Sequence, residues 1–198
     1  MLFAISKDNT GPRVDQTALF EDLMRKSHRQ AYSLAYRLTG NAAEAEDLVQ
    51  ESFLRAFRFF GKYDPSMPFS SWLYRIMTNA HIDSVRRKGK LKTMSLEQGG
   101  ADGNTTWEVP DLDSAPDKMM LQEALDEPVQ KALSSMTPEF RMAVLLADVE
   151  GMAYEEIAEV MRTSVGTVRS RIHRGRKQIR KHLIKNAPQT YRSYSDEL

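Results

Sequence analysis

Between residues 165 and 179 two kinds of side chain alternate at helical spacing. Val165, Val168, Ile172 and Ile179 predict one apolar face. Between them stand Thr167, Arg169, Ser170, Arg171, His173, Arg174 and Arg176. A face of guanidinium, hydroxyl and imidazole groups suits the major groove of DNA. Arginine bonds guanine in bidentate fashion, and hydroxyls reach bases or phosphates. The preceding residues 152–161 read as a partner helix with Ile157, Ala158 and Met161 inward, small Ala158 letting the second helix approach. Ser164 is placed to cap that second helix. The pattern is helix–turn–helix, whose second helix can lie in the major groove. Lys177 and Lys181, farther along, are compact charges suited to phosphates. A basic amphipathic helix can also be merely solvated or lie on a membrane. Here Val and Ile, rather than bulky Trp, Phe or Leu, line the apolar face, which favours DNA.

Residues 69–88 offer a second chemistry. Trp72, Tyr74, Arg75, Asn79, Asp83, Arg86, Arg87 and Lys88 combine aromatics, an amide and a basic end. Aromatic rings and Arg stack on unpaired bases while cations follow the phosphates. Periodicity alone favours the core for Phe69 and Trp72, which leaves Asn79 and the basic end for nucleic acid. A third group, Glu44, Glu46, Asp47, Gln50 and Glu51 followed by Arg55 and Arg58, puts acids early and bases late on one helix. That order complements the helix dipole and gives an exposed acidic face for docking a protein. It does not read as a catalytic or metal site. His28, His81, His173 and His182 are scattered, and no His-Glu-x-x-His pattern accompanies the acids.

The absence of Cys excludes disulfides, thiolate catalysis and cysteine-ligated zinc in this chain. No stretch approaches the ~18 apolar residues of a membrane span, and the apolar start at residues 1–5 is too short for a signal-peptide core. A reducing cytoplasm is the expectation. Net charge is only +1 over 198 residues, but it is segregated. Residues 91–127 hold nine acids against two bases, −7, while residues 160–185 hold nine bases and no acid. Such asymmetry points to an anionic partner for the second window.

The elements that must position these groups all read as helices. Phe20, Leu23, Ser27, Ala31, Leu34, Ala35 and Leu38 place a helix over 17–39, stopped at Gly40, a left-handed cap. Ala45, Leu48, Val49, Ser52, Phe53, Ala56 and Phe57 form one face of a helix over 42–60. A third spans 69–88. Gly99, Gly100, Gly103, Pro110 and Pro116 break any pattern. Helices over 118–135 and 138–149 follow, the latter with Thr137 as N-cap and Pro138 at the first helical position, and Gly151 ends it. No segment alternates like a half-buried strand. The expected organisation is all-α. A tail occupies 1–16, a helical domain 17–90, a flexible acidic linker 91–117, a helix-turn-helix domain 118–186 and a second tail 187–198. Domains of ~60–75 residues bury only about 60% of their unfolded-chain surface, so each is expected to be modestly stable alone.

Three motifs in order, Asp47-Leu48-Val49-Gln50-Glu51-Ser52-Phe53-Leu54-Arg55-Ala56-Phe57, Phe69-Ser70-Ser71-Trp72-Leu73-Tyr74-Arg75-Ile76, and Tyr154-Glu155-Glu156-Ile157-Ala158 with Gly166-Thr167-Val168-Arg169-Ser170-Arg171, resemble an extracytoplasmic-function (ECF) sigma factor of bacterial RNA polymerase, in the sigma-70 family. The resemblance covers about 17–90 and 120–185. It implies sigma region two in the first domain, with the acidic helix, including Glu46, Asp47, Gln50, Glu51 and Arg55, docking on the clamp helices of the largest polymerase subunit. It implies that 69–88 melts and reads the minus-ten element, with Asn79 at the pocket for a flipped base. The second domain is similar to region four. There Arg169, Ser170, His173 and Arg174 match minus-thirty-five contacts, and the domain touches the polymerase flap. Many members place a bulkier aromatic where His173 stands. The implied partners are core RNA polymerase, promoter DNA and an anti-sigma factor, which would hold the protein at the inner membrane. No cofactor, metal, small-molecule substrate or membrane insertion is implied. The alternative is a stand-alone helix-turn-helix regulator with a helical dimerisation domain.

Overall fold

The structure, a computed structural model, describes residues 13–97 and 125–186. Within these, seven α-helices follow one another: α1 (Arg13–Thr39), α2 (Ala42–Arg58), α3 (Phe69–Glu97), α4 (Glu127–Ser134), α5 (Pro138–Val144), α6 (Tyr154–Val160) and α7 (Val165–Asn186). A 3-10 turn (Phe60–Lys62) follows α2, and a π-turn (Leu145–Val149) continues α5. No described helix is long and apolar enough to cross a membrane. The tail at 1–12, most of the acidic linker (98–117), the start of the expected 118–135 helix (118–124) and residues 187–198 lie outside the described residues.

Local chemistry sets most boundaries. Gly40 ends α1 at φ 71°, its N–H donating to Tyr36 O at 2.7 Å. Asn41 then caps α2, its Oδ1 accepting from Glu44 N at 3.0 Å. Ser164 caps α7 as expected, accepting from Thr167 N at 3.1 Å. Thr137 occupies the N-cap position of α5, but its hydroxyl makes no capping bond. Gly151 turns at φ 66°, and Arg162, a non-glycine residue at φ 49°, bends the turn before α7.

Several expectations are corrected. α1 begins at Arg13 rather than 17, so residues 13–16 join the helix. α3 continues to Glu97, seven residues into the expected linker. Leu, Lys, Met and Glu there are good helix formers, and the first breaker is Gly99. α4 starts only at Glu127, where Pro128 supplies the fixed φ of a first turn. Residues 138–149 are not one regular helix, because the last five widen into the π-turn. Phe57, expected on the buried face of α2, is 53% exposed. Ala56 takes the core position, and Phe57 lies about 100° farther round the helix.

The sequence leaves open how the two domains sit relative to each other, and the structure packs them together. Residues from α1–α3 and from α4–α7 contribute to a single buried cluster that runs from Phe20, Leu34, Leu38, Leu73 and Met77 to Met142, Leu145, Leu146, Ile157 and Ile172. α1 and α3 both pack on the second half. Polar groups stitch the seam. Arg141, itself buried, donates through Nη1 to Leu38 O and through Nη2 to Ser134 O at 2.9 Å and Met136 O at 3.2 Å. It thus serves unpaired carbonyls at the C-terminal ends of α1 and α4, one from each half. Gln130 Nε2 donates to Arg37 O at 3.3 Å. Two units too small to bury much surface alone cover each other.

Candidate functional site

The polar face of α7 is built as its spacing implies. Val168, Ile172, Gly175 and Leu183 are buried in one stripe. Arg169, Ser170, His173, Arg174, Arg176 and Lys177 are exposed, and Thr167 and Arg171 are half-buried. At Gly175 α7 packs tightly on α5: a Cβ there would stand 2.6 Å from Val144 Cγ2 and 3.4 Å from Phe140 O. The Ser170 hydroxyl donates to Thr167 O at 2.9 Å, which leaves its lone pairs outward to accept. The Thr167 and Ser164 hydroxyls bond each other at 2.8 Å. Arg176 is bonded to another element of the protein at the edge of this face. Its Nε meets Asp148 Oδ2 at 3.0 Å and its Nη2 meets Asp148 Oδ1 at 2.5 Å. The hydrogen bond to Asp148, more than the opposing burial, raises the guanidinium pKa, with smaller help from the Asp148 charge and from Tyr154.

On the first half, the α3 residues separate. Arg75, Asp83, Arg86 and Arg87 are exposed, while the side chain of Lys88 lies outside the described residues. Asn79 is half-buried, its amide donating to Arg75 O at 2.8 Å. Trp72 is half-buried in a ring cluster, its centroid 5.2 Å from Tyr63 and 5.7 Å from Phe69. Tyr74 is placed elsewhere. It is buried in the seam, its hydroxyl donating to Glu150 Oε2 at 2.5 Å, while Arg37 Nη1 stands 3.8 Å from Glu150 Oε1. In this packing its ring faces the second half and not solvent.

The acidic face of α2 is exposed at Glu46, Asp47, Gln50 and Glu51. Arg55 turns from that face toward α3. It bonds Glu51 Oε1 at 2.6 Å and approaches Asp83 Oδ2 at 3.7 Å. With Asp83, Arg86 and Arg87 it lines a groove of about 390 Å³. Thus one residue read as part of the docking face adjoins three read as nucleic-acid contacts. Sequence reasoning missed the apolar continuation of the α2 face, Leu54 (63% exposed), Phe57 and Phe59. Leu54 carried a signal, since it falls off the buried stripe between Phe53 and Arg55. Asp148 and Glu150 carried none, because their partners are distant in sequence.

Comparison with known proteins bears on this geometry. Residues 23–91 match the family description "Sigma-70 region 2" and residues 126–179 match "Sigma-70, region 4". The chain is 43% identical over 188 residues to the ECF RNA polymerase sigma factor SigE of Mycolicibacterium smegmatis, covering 94% of this chain and 69% of that protein. It is 35% identical over 170 residues to the ECF RNA polymerase sigma factor SigW of Bacillus subtilis, covering 85% of this chain and 90% of that one. In fold it is similar to the sigma factor RpoE of Bartonella quintana, solved in complex with the anti-sigma factor NepR. The TM-score is 0.65 at 21% identity, over 84% of this chain and 98% of that one.

Proposed function

The chain belongs to the extracytoplasmic-function sigma factors of bacterial RNA polymerase, and from that premise we propose how its surfaces divide the work. The α2 face, Glu46, Asp47, Gln50 and Glu51 extended by Leu54 and Phe57, docks on the clamp helices of the largest polymerase subunit. Charge steers the encounter and the exposed apolar residues hold it. α3 reads the minus-ten element, with Asn79 beside the flipped base and Arg86 and Arg87 on phosphates. The cost of unstacking, a few kcal/mol, is offset by contacts to the extruded base. α7 reads the minus-thirty-five element through Arg169, Ser170, His173 and Arg174. The protein acts without catalysis of its own, in the cytoplasm, and an anti-sigma factor restrains it there or at the inner membrane.

One observation carries this reading. The Arg169, Ser170, His173 and Arg174 side chains are exposed on a helix whose opposite stripe is locked in the core. Run-off transcription with purified core polymerase across a promoter library tests it. The expected result is initiation at a defined pair of elements. Arg169→Ala or Arg174→Ala costs roughly 1–3 kcal/mol wherever that residue contacts guanine, with altered preference at that base. Lys181→Ala weakens binding across all sequences and flattens its salt dependence. Tight binding to a palindromic duplex by the chain alone, with no effect on initiation, would support the stand-alone regulator instead.

A further inference from the structure

Resting on the reading of α7 as a duplex-reading helix, we propose that Asp148 and Arg176 are positioning residues: their two-bond fork fixes the roll of α7 about its own axis, and Arg176 contacts no phosphate. The need for such a device follows from how α7 is packed. Its buried stripe, Val168, Ile172, Gly175 and Leu183, packs against α4, α5 and α6. Such apolar packing holds the helix in place but leaves its exact roll to the polar contacts at the edge of the stripe. At Gly175 α7 presents no side chain of its own, and the Val144 side chain meets its backbone. Arg176 is the next residue, about 100° round the helix. It reaches Asp148, on the π-turn that leads into the first helix of the motif, through parallel bonds of 2.5 and 3.0 Å. A planar fork on a carboxylate constrains orientation as well as distance.

The consequence is carried up the helix. Arg176 stands seven residues after Arg169. At 3.6 residues per turn the two share an azimuth to within about 20° and lie about 10 Å apart along the axis. Fixing the azimuth of Arg176 therefore fixes that of Arg169, with Ser170 and His173 beside it. A roll of about 10° moves a side-chain tip some 6 Å from the axis by about 1 Å. That is twice the ~0.5 Å tolerance of a preorganised binding constellation. Both partners are partly exposed, 55% for Arg176 and 33% for Asp148, so the ion pair adds little to stability, and its geometry is what matters.

The test compares Asp148→Asn, Arg176→Ala and the double variant in the full chain assembled with core polymerase. Promoter affinity is measured between 50 and 200 mM salt, a roughly fourfold range, together with base preference across the minus-thirty-five element. Asp148→Asn removes a negative charge near the DNA-facing helix, so electrostatics alone would tighten binding. Positioning predicts the reverse, a loss of about three- to tenfold and blurred preference at the minus-thirty-five bases. The double variant should be no worse than Arg176→Ala, and the salt slope should be unchanged throughout. Tighter binding by Asp148→Asn, or a salt slope reduced by about 0.9, one phosphate, in Arg176→Ala would overturn the proposal. Should Arg176→Ala fail to fold, the near-isosteric Asp148→Asn decides alone, with circular dichroism confirming its helices. A wild-type assembly with no minus-thirty-five preference would instead overturn the reading of α7 itself.

Discussion

The phenol of Tyr74 is 4% exposed and bonds Glu150. Burial first, then that hydrogen bond and the Glu150 charge, push its pKa well above the ordinary tyrosine value, with Arg37 pulling the other way. The sign of the linkage follows. The folded chain keeps a proton that the unfolded chain gives up above about pH 10. Its contribution is therefore complete below that pH and is lost as pH rises beyond it. Tyr74→Phe should cost about 1.5–3 kcal/mol near pH 8, the worth of a hydrogen bond to a charged group. That difference should shrink when urea unfolding is repeated above pH 10. A constant difference would place the effect in packing instead. Nothing in the sequence marks Tyr74 as different from Trp72 or Arg75, since its partner lies 76 residues away.

α7 and α2 illustrate how an element is built around an exception. Glycine inside a helix costs about 1 kcal/mol relative to alanine, so Gly175 reads in isolation as a weakness of α7. Its surroundings give the reason. A Cβ would stand 2.6 Å from Val144 Cγ2 and 3.0 Å from Met136 Cε, and Val144 is β-branched, buried and stiff. Gly175→Ala should therefore destabilise by about 1–2 kcal/mol in thermal unfolding, because overpacking outweighs the gain in propensity. On α2 the exception is Leu54, exposed among charged neighbours. Leu54→Ser should leave the melting temperature within a degree or two, as surface changes do. It should weaken association with core polymerase about tenfold by fluorescence anisotropy, about 1.4 kcal/mol. The face of α2 was legible as helical and acidic. Its apolar end was marked only by Leu54 falling off the buried stripe, a weak signal because an exposed leucine taken singly is ordinary.

At the scale of the whole molecule the seam sets a geometric limit. Elements named for positions ten and thirty-five lie about 25 base pairs apart, roughly 85 Å at 3.4 Å per pair. About 150 residues sharing one core have a radius of gyration near 15 Å and cannot span both. On the proposed division of work, engaging the two elements together would require Tyr74–Glu150, Arg141–Leu38 and Gln130–Arg37 to part. The chain has no native cysteine, so single dyes can be placed through Arg25→Cys and Glu159→Cys, both exposed. Energy transfer should be high in the free chain and fall when core polymerase is added. Unchanged transfer would mean that the halves stay together in the assembly.

The sequence by itself determined the helical class, the order of the helices, the cap at Ser164, the turn at Gly40 and the polar face of α7. Each follows from a period or an offset of three or four residues, and such local regularities survive without tertiary context. It misplaced the ends of α3 and α4, and it left open how the two halves sit together. The tertiary structure alone decided that Arg176 turns to Asp148, 28 residues away, that Tyr74 faces Glu150, and that Arg141 reaches Leu38 across 103 residues. Pairings at such separations leave no period in the chain. They arise only where two marginal cores gain by covering each other, and that surface exists only once both halves have folded.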